Sequence, residues 1–125
     1  MKLFTIEEAN DMLTVVRPIL IEIRSIYRNI NFYRKSSLAA SNSAQFGGGG
    51  MKSGSHYVNQ LFKLGENTAE LDQLGIQIKD YERGLIDFPS EREGQIVLLC
   101  WQLGEGDEIE WWHEIESGFA GRKRV

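Results

Sequence analysis

The C-terminal half of the chain carries five polar side chains that could take part in chemistry: Asp80, Asp87, Cys100, Glu105 and His113. Asp80 and Asp87 lie near the ends of two short predicted strands joined by a tight turn, so their carboxylates could approach each other. Two close carboxylates share a proton or bind a cation, because two like charges cannot both stay ionised without cost. The alternative is that both are exposed at the strand ends or bonded to turn amides.

Cys100 and His113 are the candidate pair for nucleophilic chemistry. If the last hairpin is centred on Glu105-Gly106, paired residues have numbers that sum to about 211, which puts Cys100 opposite Trp111 and diagonal to His113. His113 would then be the base that activates the thiol. A shift of one residue in this register would move the two side chains to opposite faces. The alternative is that Cys100, in the middle of an apolar strand, is a small buried hydrophobe.

A mixed metal site is the second chemistry that these residues suggest. Cys100, His113 and Asp87 offer sulfur, nitrogen and oxygen ligands, and a divalent metal is the cofactor that such a set would take. The chain has no Cys-x-x-Cys or His-x-x-x-His motif, whereas structural zinc sites have four ligands at recognisable spacings. The three residues therefore predict an incomplete, mixed site.

Tryptophan side chains near these residues could form the walls of a ligand site. Trp111 and Trp112 are adjacent and must point to opposite faces of a strand, so we expect one of them to be less buried. An exposed tryptophan beside acids can bind a cationic or aromatic ligand, and packing within the sheet is the alternative. The ligand-binding hypothesis takes in seven residues: Asp80, Asp87, Trp101, Glu105, Trp112, His113 and Arg122.

An acidic segment and a basic tail follow each other at the end of the chain. Six acids and no basic residue lie between Glu105 and Glu116, and the tail contains Arg122-Lys123-Arg124. Such an acidic segment is usually a solvated face. The basic tail of the same chain or of a second chain could instead pair with it.

The apolar residues of this part of the chain repeat every two positions, which predicts that these side chains lie on a small β-sheet. Alternation predicts about four antiparallel strands: Ile76–Asp80, Leu85–Phe88, Gln95–Leu103 and Glu108–His113. Pro89 is expected to end the second strand, and residues 90–94 read as a polar turn. The order of the strands stays open, and residues 117–125 read as a turn-rich basic tail.

Two helices are predicted ahead of the sheet. Thr5 and Glu8 form a capping box, and apolar residues at alternating spacings of three and four predict a helix over 5–33. Pro18 is expected to kink this helix near Val15 to Arg17. A second helix is expected over about 55–73, with Gly75 as its stop. The Ser- and Gly-rich residues 34–56 between them predict a flexible connector. The chain is thus expected to be a single α+β domain, with a long antiparallel helical hairpin and a C-terminal sheet.

Length and composition limit the classes of protein that remain. The chain has 125 residues, of which 42% are hydrophobic and 26% charged, as is typical of one packed domain. Its net charge of −4 argues against nucleic-acid binding, and no apolar run is long enough for a membrane span. A single cysteine and an acidic N-terminal segment without a secretory signal predict a cytoplasmic protein.

With these residues assembled, the chain resembles an uncharacterised prokaryotic family, domain of unknown function 2203. The resemblance implies a bacterial, cytosolic protein and brings no established reaction or agreed catalytic residues. It includes polar residues that packing alone does not require, which favours a ligand or metal site on the sheet. The matching motifs are Phe4-Thr5, Glu8-Ala9-Asn10, Lys79-Asp80, Gly84-Leu85, Asp87-Phe88-Pro89, Gly94, Leu99-Cys100-Trp101, Gly104-Glu105, Trp112-His113, Gly118-Phe119 and Gly121-Arg122.

Two functions from different classes are therefore open. The first is a non-enzymatic protein-interaction module that forms a homodimer, or binds a protein partner, through the wide apolar stripes of its helices. The second is a small ligand- or metal-binding protein, or an enzyme, with a polar site on the C-terminal sheet. Convergence of the polar side chains in the folded protein would favour the second.

Overall fold

The computed structural model describes residues 1–43 and 50–125 and has the predicted α+β architecture. Two helices precede an antiparallel sheet whose strands follow one another in chain order, β1-β2-β3-β4-β5. The elements are α1 (Ile6–Ser43), α2 (Gly50–Gln73), β1 (Gln77–Asp80), β2 (Leu85–Arg92), β3 (Gln95–Gln102), β4 (Trp111–Glu114), a 3₁₀ turn (Phe119–Gly121) and β5 (Lys123–Arg124).

Both helices are longer than the sequence predicts. α1 ends at Ser43 instead of Tyr33, and α2 begins at Gly50 instead of near residue 55, so both ends of the predicted connector are helical. Residues 34–40 include good helix formers and contain no proline or glycine. The rings of Tyr33 and Tyr57 stack with centroids 5.2 Å apart, and Arg34 Nε donates a 2.8 Å hydrogen bond to the Tyr57 hydroxyl, which joins the two helices where the first was expected to end. Residues 44–49, the middle of that connector, lie outside the described residues.

The ends of the helices follow the predicted capping chemistry. Thr5 and Glu8 exchange backbone-to-side-chain hydrogen bonds of 2.9 and 3.0 Å. Gly75, with φ 85°, ends α2 in a Schellman motif, because Ile76 N–H donates to the Leu71 carbonyl and Gly75 N–H to the Asp72 carbonyl. α1 continues through Pro18, and the kink there stays a prediction.

The apolar stripe of α1 covers one face of the sheet. Its buried residues include Leu13, Val16, Leu20 and Ile23, which form one core with sheet residues. Of the α2 residues whose burial the structure describes, Leu71 is the fully buried apolar side chain, so α1 supplies most of the helical share of this core. The sheet side of this core is Ile76, Ile86, Phe88, Leu99, Trp101 and Ile109.

The prediction that the second strand ends at Pro89 is wrong. β2 continues through Pro89 to Arg92. β1 pairs only with Leu85, Ile86 and Asp87, so no strand needs a donor from Pro89 on that edge. The Pro89 carbonyl instead accepts a 2.7 Å hydrogen bond from Phe4 N–H. Glu93 and Gly94, both at positive φ, then form a two-residue turn of the type that suits a twisted hairpin.

The tail forms a fifth strand, one more than the predicted four. Lys123 pairs with Trp112 and Arg124 with Trp111 on β4. Three ion pairs join this tail to the acidic segment of the same chain: Arg122–Glu105, Lys123–Glu114 and Arg124–Glu110. The intramolecular form of the predicted acid–base contact is therefore present.

Candidate metal centre

The predicted register of the last hairpin is confirmed, and it defines a second face of the sheet. Cys100 pairs with Trp111 and Leu98 with His113, while Asp87 pairs with Cys100 on the other side. Because side chains alternate along a strand, these residues lie on the face opposite the core that α1 covers.

Asp87, Cys100 and His113 form a buried cluster on this outer face. Their side chains are nearly inaccessible, with residue exposures of 2%, 1% and 3%. One ligand atom from each lies within 4.8 Å of the others, and His113 Nε2 is 3.1 Å from Asp87 Oδ1. Three elements that are separate in sequence therefore bring a carboxylate, a thiol and an imidazole to one point.

The backbone of β4 orients the imidazole of His113. Its Nδ1 lies 2.7 Å from the carbonyl oxygen of Glu114. A carbonyl oxygen only accepts, so Nδ1 carries a proton and donates it. Nε2 is then directed at the cluster, where it shares a proton with Asp87 or offers its lone pair to a cation. Metal-binding histidines are commonly oriented in this way, by a backbone carbonyl at the other ring nitrogen.

The surroundings of Cys100 disfavour its thiolate. Burial, together with the neighbouring Asp87 carboxylate and against an opposing effect of Arg122, raises the pKa of Cys100 to about 12. A thiol with this pKa holds almost no thiolate near neutral pH, so it is a poor nucleophile. The arrangement therefore gives no support to Cys100 and His113 as a nucleophile and its base.

A cavity of about 180 Å³ adjoins the cluster. The three polar residues form part of its wall, and most of the remaining wall is apolar. The lining residues are Lys79, Leu85, Asp87, Leu98, Cys100, His113, Ile115, Gly118 and Phe119.

The segment after β4 covers this cavity. Ile115, Gly118 and Phe119 reach it from residues 115–119, where Gly118 adopts φ 64°. Arg122 holds the segment in place: its guanidinium lies 4.7 Å from the Phe119 ring and 4.8 Å from the Trp111 ring. It also donates a 2.6 Å hydrogen bond to Glu105, with side-chain exposures of 10% and 18%.

The other predicted site residues lie outside the cluster. Asp80 accepts a 2.9 Å hydrogen bond from Arg83 N–H in the β1–β2 turn, which is the turn-bonded alternative for this carboxylate. The Glu105 carboxylate accepts hydrogen bonds from Gln102 N–H and from Arg122. It therefore helps to hold Arg122, which contacts the covering segment. Among the residues that the structure describes, Asp80 and Glu105 are not part of the group of clustered ligands.

Trp101 and Trp112 do not line the site, although the sequence hypothesis used them as its walls. Trp101 is fully buried in the core, with Nε1 bonded to the Gly106 carbonyl. Trp112 is half-buried, and the cations of Arg92 and Lys123 lie 4.6 and 4.9 Å from its ring. Trp101 follows Cys100 in the chain, and Trp112 precedes His113. Because neighbouring side chains along a strand point to opposite faces, both tryptophans face away from the cluster.

Several residues of the site were missed by the sequence argument. Leu85 and Leu98 could have been found by extending the alternation from Asp87 and Cys100. Phe119 carries no such signal, because its position depends on how the tail folds back over the sheet. Two larger cavities, of about 370 and 430 Å³, lie elsewhere and have neither cysteine nor histidine in their walls.

The molecule defined by these features is a small α+β protein with a helical hairpin on one face of its sheet and a buried Asp/Cys/His cluster on the other. The chain belongs to the family described as uncharacterized conserved protein (DUF2203), whose model matches residues 2–125. Searches of curated proteins and of solved structures found no match. None of the described helices has a stretch long and apolar enough to cross a membrane.

Proposed function

We propose that this protein binds a divalent transition metal, with zinc as the best fit, through Asp87, Cys100 and His113. The single observation that carries the proposal is the buried convergence of oxygen, sulfur and nitrogen ligands within 4.8 Å. Ligands of tetrahedral zinc lie about 3.3 to 3.6 Å apart, given the usual metal–ligand distances. The 3.1 Å between His113 Nε2 and Asp87 Oδ1 is already close to that separation, so a modest closing movement would complete the set.

The charges of the cluster also favour a divalent ion. A thiolate and a carboxylate together balance the two positive charges of the metal, and the neutral imidazole leaves the buried site with no net charge. Without a metal, the thiol must stay protonated because its thiolate would be buried beside Asp87. Metal binding therefore replaces a proton on sulfur, which metal ions do readily.

The number of ligands bears on the type of site. Structural zinc sites have four protein ligands, whereas catalytic sites have three and leave a position for water or substrate. Three ligands beside a cavity of about 180 Å³ fit the second type. The proposed function is thus metal binding with one open position, suited to polarising a ligand or activating water.

A purely structural role is the competing interpretation of the cluster. Asp87 and His113 would then be a buried hydrogen-bonded pair that joins β2 to β4, and Cys100 a small apolar residue. The two interpretations differ in what the native protein contains, which makes metal content the decisive measurement.

The test is elemental mass spectrometry on tag-free protein, together with cobalt substitution. Wild type is expected to contain about one metal ion per chain, and Co²⁺ is expected to show thiolate-to-cobalt charge-transfer absorption. Cys100→Ala should lose that absorption and most of the metal, because it removes the thiolate while it disturbs packing little.

The matched control is His56→Ala, which removes the other histidine of the chain, an exposed residue on α2. This variant should keep full metal content, whereas His113→Ala should lose it. A wild-type protein that binds neither zinc nor cobalt, with circular dichroism showing it folded, would leave only the structural interpretation.

As a second function we propose self-association through α2. Val58, Leu61 and Phe62 are 61%, 39% and 70% exposed, and their spacing places them on one helix face. Gly65 continues this face with nothing within 4 Å of an added Cβ, so a partner helix could approach closely. Apolar side chains grouped on one face are typical of an interface.

Light scattering at micromolar concentration tests this second proposal. Wild type is expected to be a dimer, and Phe62→Lys should convert it to a monomer because it buries a charge in the contact. Val15→Lys is the control, since Val15 is 47% exposed and lies on the other helix, α1, and its variant should stay dimeric. A wild-type monomer at high micromolar concentration would contradict the proposal.

A further inference from the structure

The cavity beside the cluster combines apolar walls with positive charge. Leu85, Leu98, Ile115 and Phe119 supply the apolar surface, and Lys79 is the only basic residue in the lining. The guanidinium of Arg83 lies 4.7 Å from the Phe119 ring. Among the described residues, neither Lys79 nor Arg83 forms an ion pair.

Lys79 and Arg83 place positive charge near the cavity although the chain as a whole has a net charge of −4. With a neutral metal centre at the wall, Lys79 in the lining and Arg83 beside Phe119 would contribute a positive field to the cavity. Such a field attracts an anion, and a metal with an open position binds an anionic oxygen directly.

We propose that the cavity binds a small organic carboxylate, with its oxygen on the metal and its apolar part against Phe119 and the two leucines. This inference rests on the proposed metal site and names its ligand class. A cavity of about 180 Å³ has room for several non-hydrogen atoms, which excludes large cofactors and fits a short-chain acid. The ammonium group of Lys79 attracts the carboxylate of the bound acid electrostatically. It does not coordinate the metal.

The experiment uses full-length protein loaded with Co²⁺ and titrated with acetate, propionate, butyrate and hexanoate at constant ionic strength. The visible cobalt bands are expected to shift saturably, since an oxygen ligand changes the coordination sphere. Affinity should rise about fourfold with each added methylene until the cavity is filled, and then stop rising.

Lys79→Met is expected to weaken carboxylate binding about two- to fivefold, the usual range for one exposed charge. Its matched control is Lys63→Met, because Lys63 lies on α2 and pairs with Glu22. The control should bind every acid as wild type does.

Two failures can be told apart. If Co²⁺ gives its thiolate charge-transfer absorption but no carboxylate moves the visible bands more than chloride does, the carboxylate proposal is overturned and the metal site stands. If the charge-transfer absorption never forms, the metal proposal itself fails, and the carboxylate proposal fails with it.

Discussion

The protonation state of the Cys100 thiol depends strongly on the groups around it. Its thiol is enclosed by the sheet and lies beside a buried carboxylate, and both effects raise its pKa, to about 12. A divalent ion would reverse this effect, because a metal-bound sulfur is deprotonated. The same three side chains can therefore exist either as a protonated cluster or as a metal centre.

The raised pKa of Cys100 predicts how the stability of metal-free protein depends on pH. The unfolded thiol ionises near pH 9.0 but the folded one only near 12, so the unfolded state loses its proton first. The contribution of the Cys100 thiol to the free energy of unfolding is fully present below about pH 9. It is lost as the pH rises towards 12, at about 1.4 kcal/mol per pH unit.

Urea unfolding of chelator-treated protein between pH 8 and 11 measures this effect. Other groups titrate in the same range, so the informative quantity is the difference between wild type and Cys100→Ala. The wild-type free energy of unfolding should fall more steeply than that of the variant. Parallel curves would show that the folded protein does not hold the thiol protonated.

At the scale of elements, two glycines in turns of the sheet differ in the space that surrounds them. Gly84 has φ 60°, and an added Cβ would lie 2.5 Å from the Leu103 side chain. Gly94 has φ 79°, and an added Cβ would meet nothing within 4 Å. Gly94→Ala should therefore cost only the backbone strain, about 1 kcal/mol, and Gly84→Ala about 3 kcal/mol. Equal losses in urea unfolding would show that Leu103 moves aside freely.

Arg122 attaches the covering segment to Trp111 of β4 and to Glu105. Removing this guanidinium leaves Glu105 in a site only 18% exposed, so Arg122→Met is expected to lower the free energy of unfolding by about 2 to 3 kcal/mol. Lys123→Met breaks an exposed pair with Glu114, at 54% and 58% exposure, and should cost less than about 1 kcal/mol.

Hydrogen exchange separates the local effect of Arg122 from the global one. Amides of residues 115–122 should exchange faster in Arg122→Met under conditions in which those of α1 are unchanged. Adding Glu105→Gln to that variant should restore part of the stability, since it removes the unpaired charge. If the double variant is no more stable than Arg122→Met, the pair does not hold the segment.

At the scale of the whole molecule, the sheet separates two environments. One face shares the apolar core with α1, and the other carries the polar cluster beneath the folded-back tail. A ligand of the outer face that binds only the folded state stabilises the entire chain by mass action.

Zinc is therefore expected to stabilise the protein as a whole. At a free concentration one hundred times its Kd, it should raise the free energy of unfolding by about 2.7 kcal/mol. His56→Ala should gain as much as wild type, and Cys100→Ala should gain little. An equal gain in Cys100→Ala would mean that the metal binds elsewhere.

Much of the fold was predictable because it depends on local order in the sequence. The capping box at Thr5, the stop at Gly75 and the Cys100–Trp111 register each involve residues that are close together along the chain. Cys100 and His113, two of the three proposed metal ligands, could be placed near each other for the same reason. The failures at Pro89 and in the connector came from rules about residue type. Proline was expected to end a strand, but its carbonyl is bonded to Phe4 and the strand continues, and the Ser- and Gly-rich composition was expected to form a loop, but both ends of that segment are helical.

The sequence by itself determined the α+β class, most element boundaries and the last hairpin, since periodicity, caps and short turns act over a few residues. Only the tertiary structure decided that Asp87 joins Cys100 and His113, that the tryptophans face away from them, and that the tail closes over the cavity. Those outcomes depend on which long-range contacts bury the most apolar surface while keeping most buried polar groups paired. That balance involves the whole chain, so no local pattern contains it.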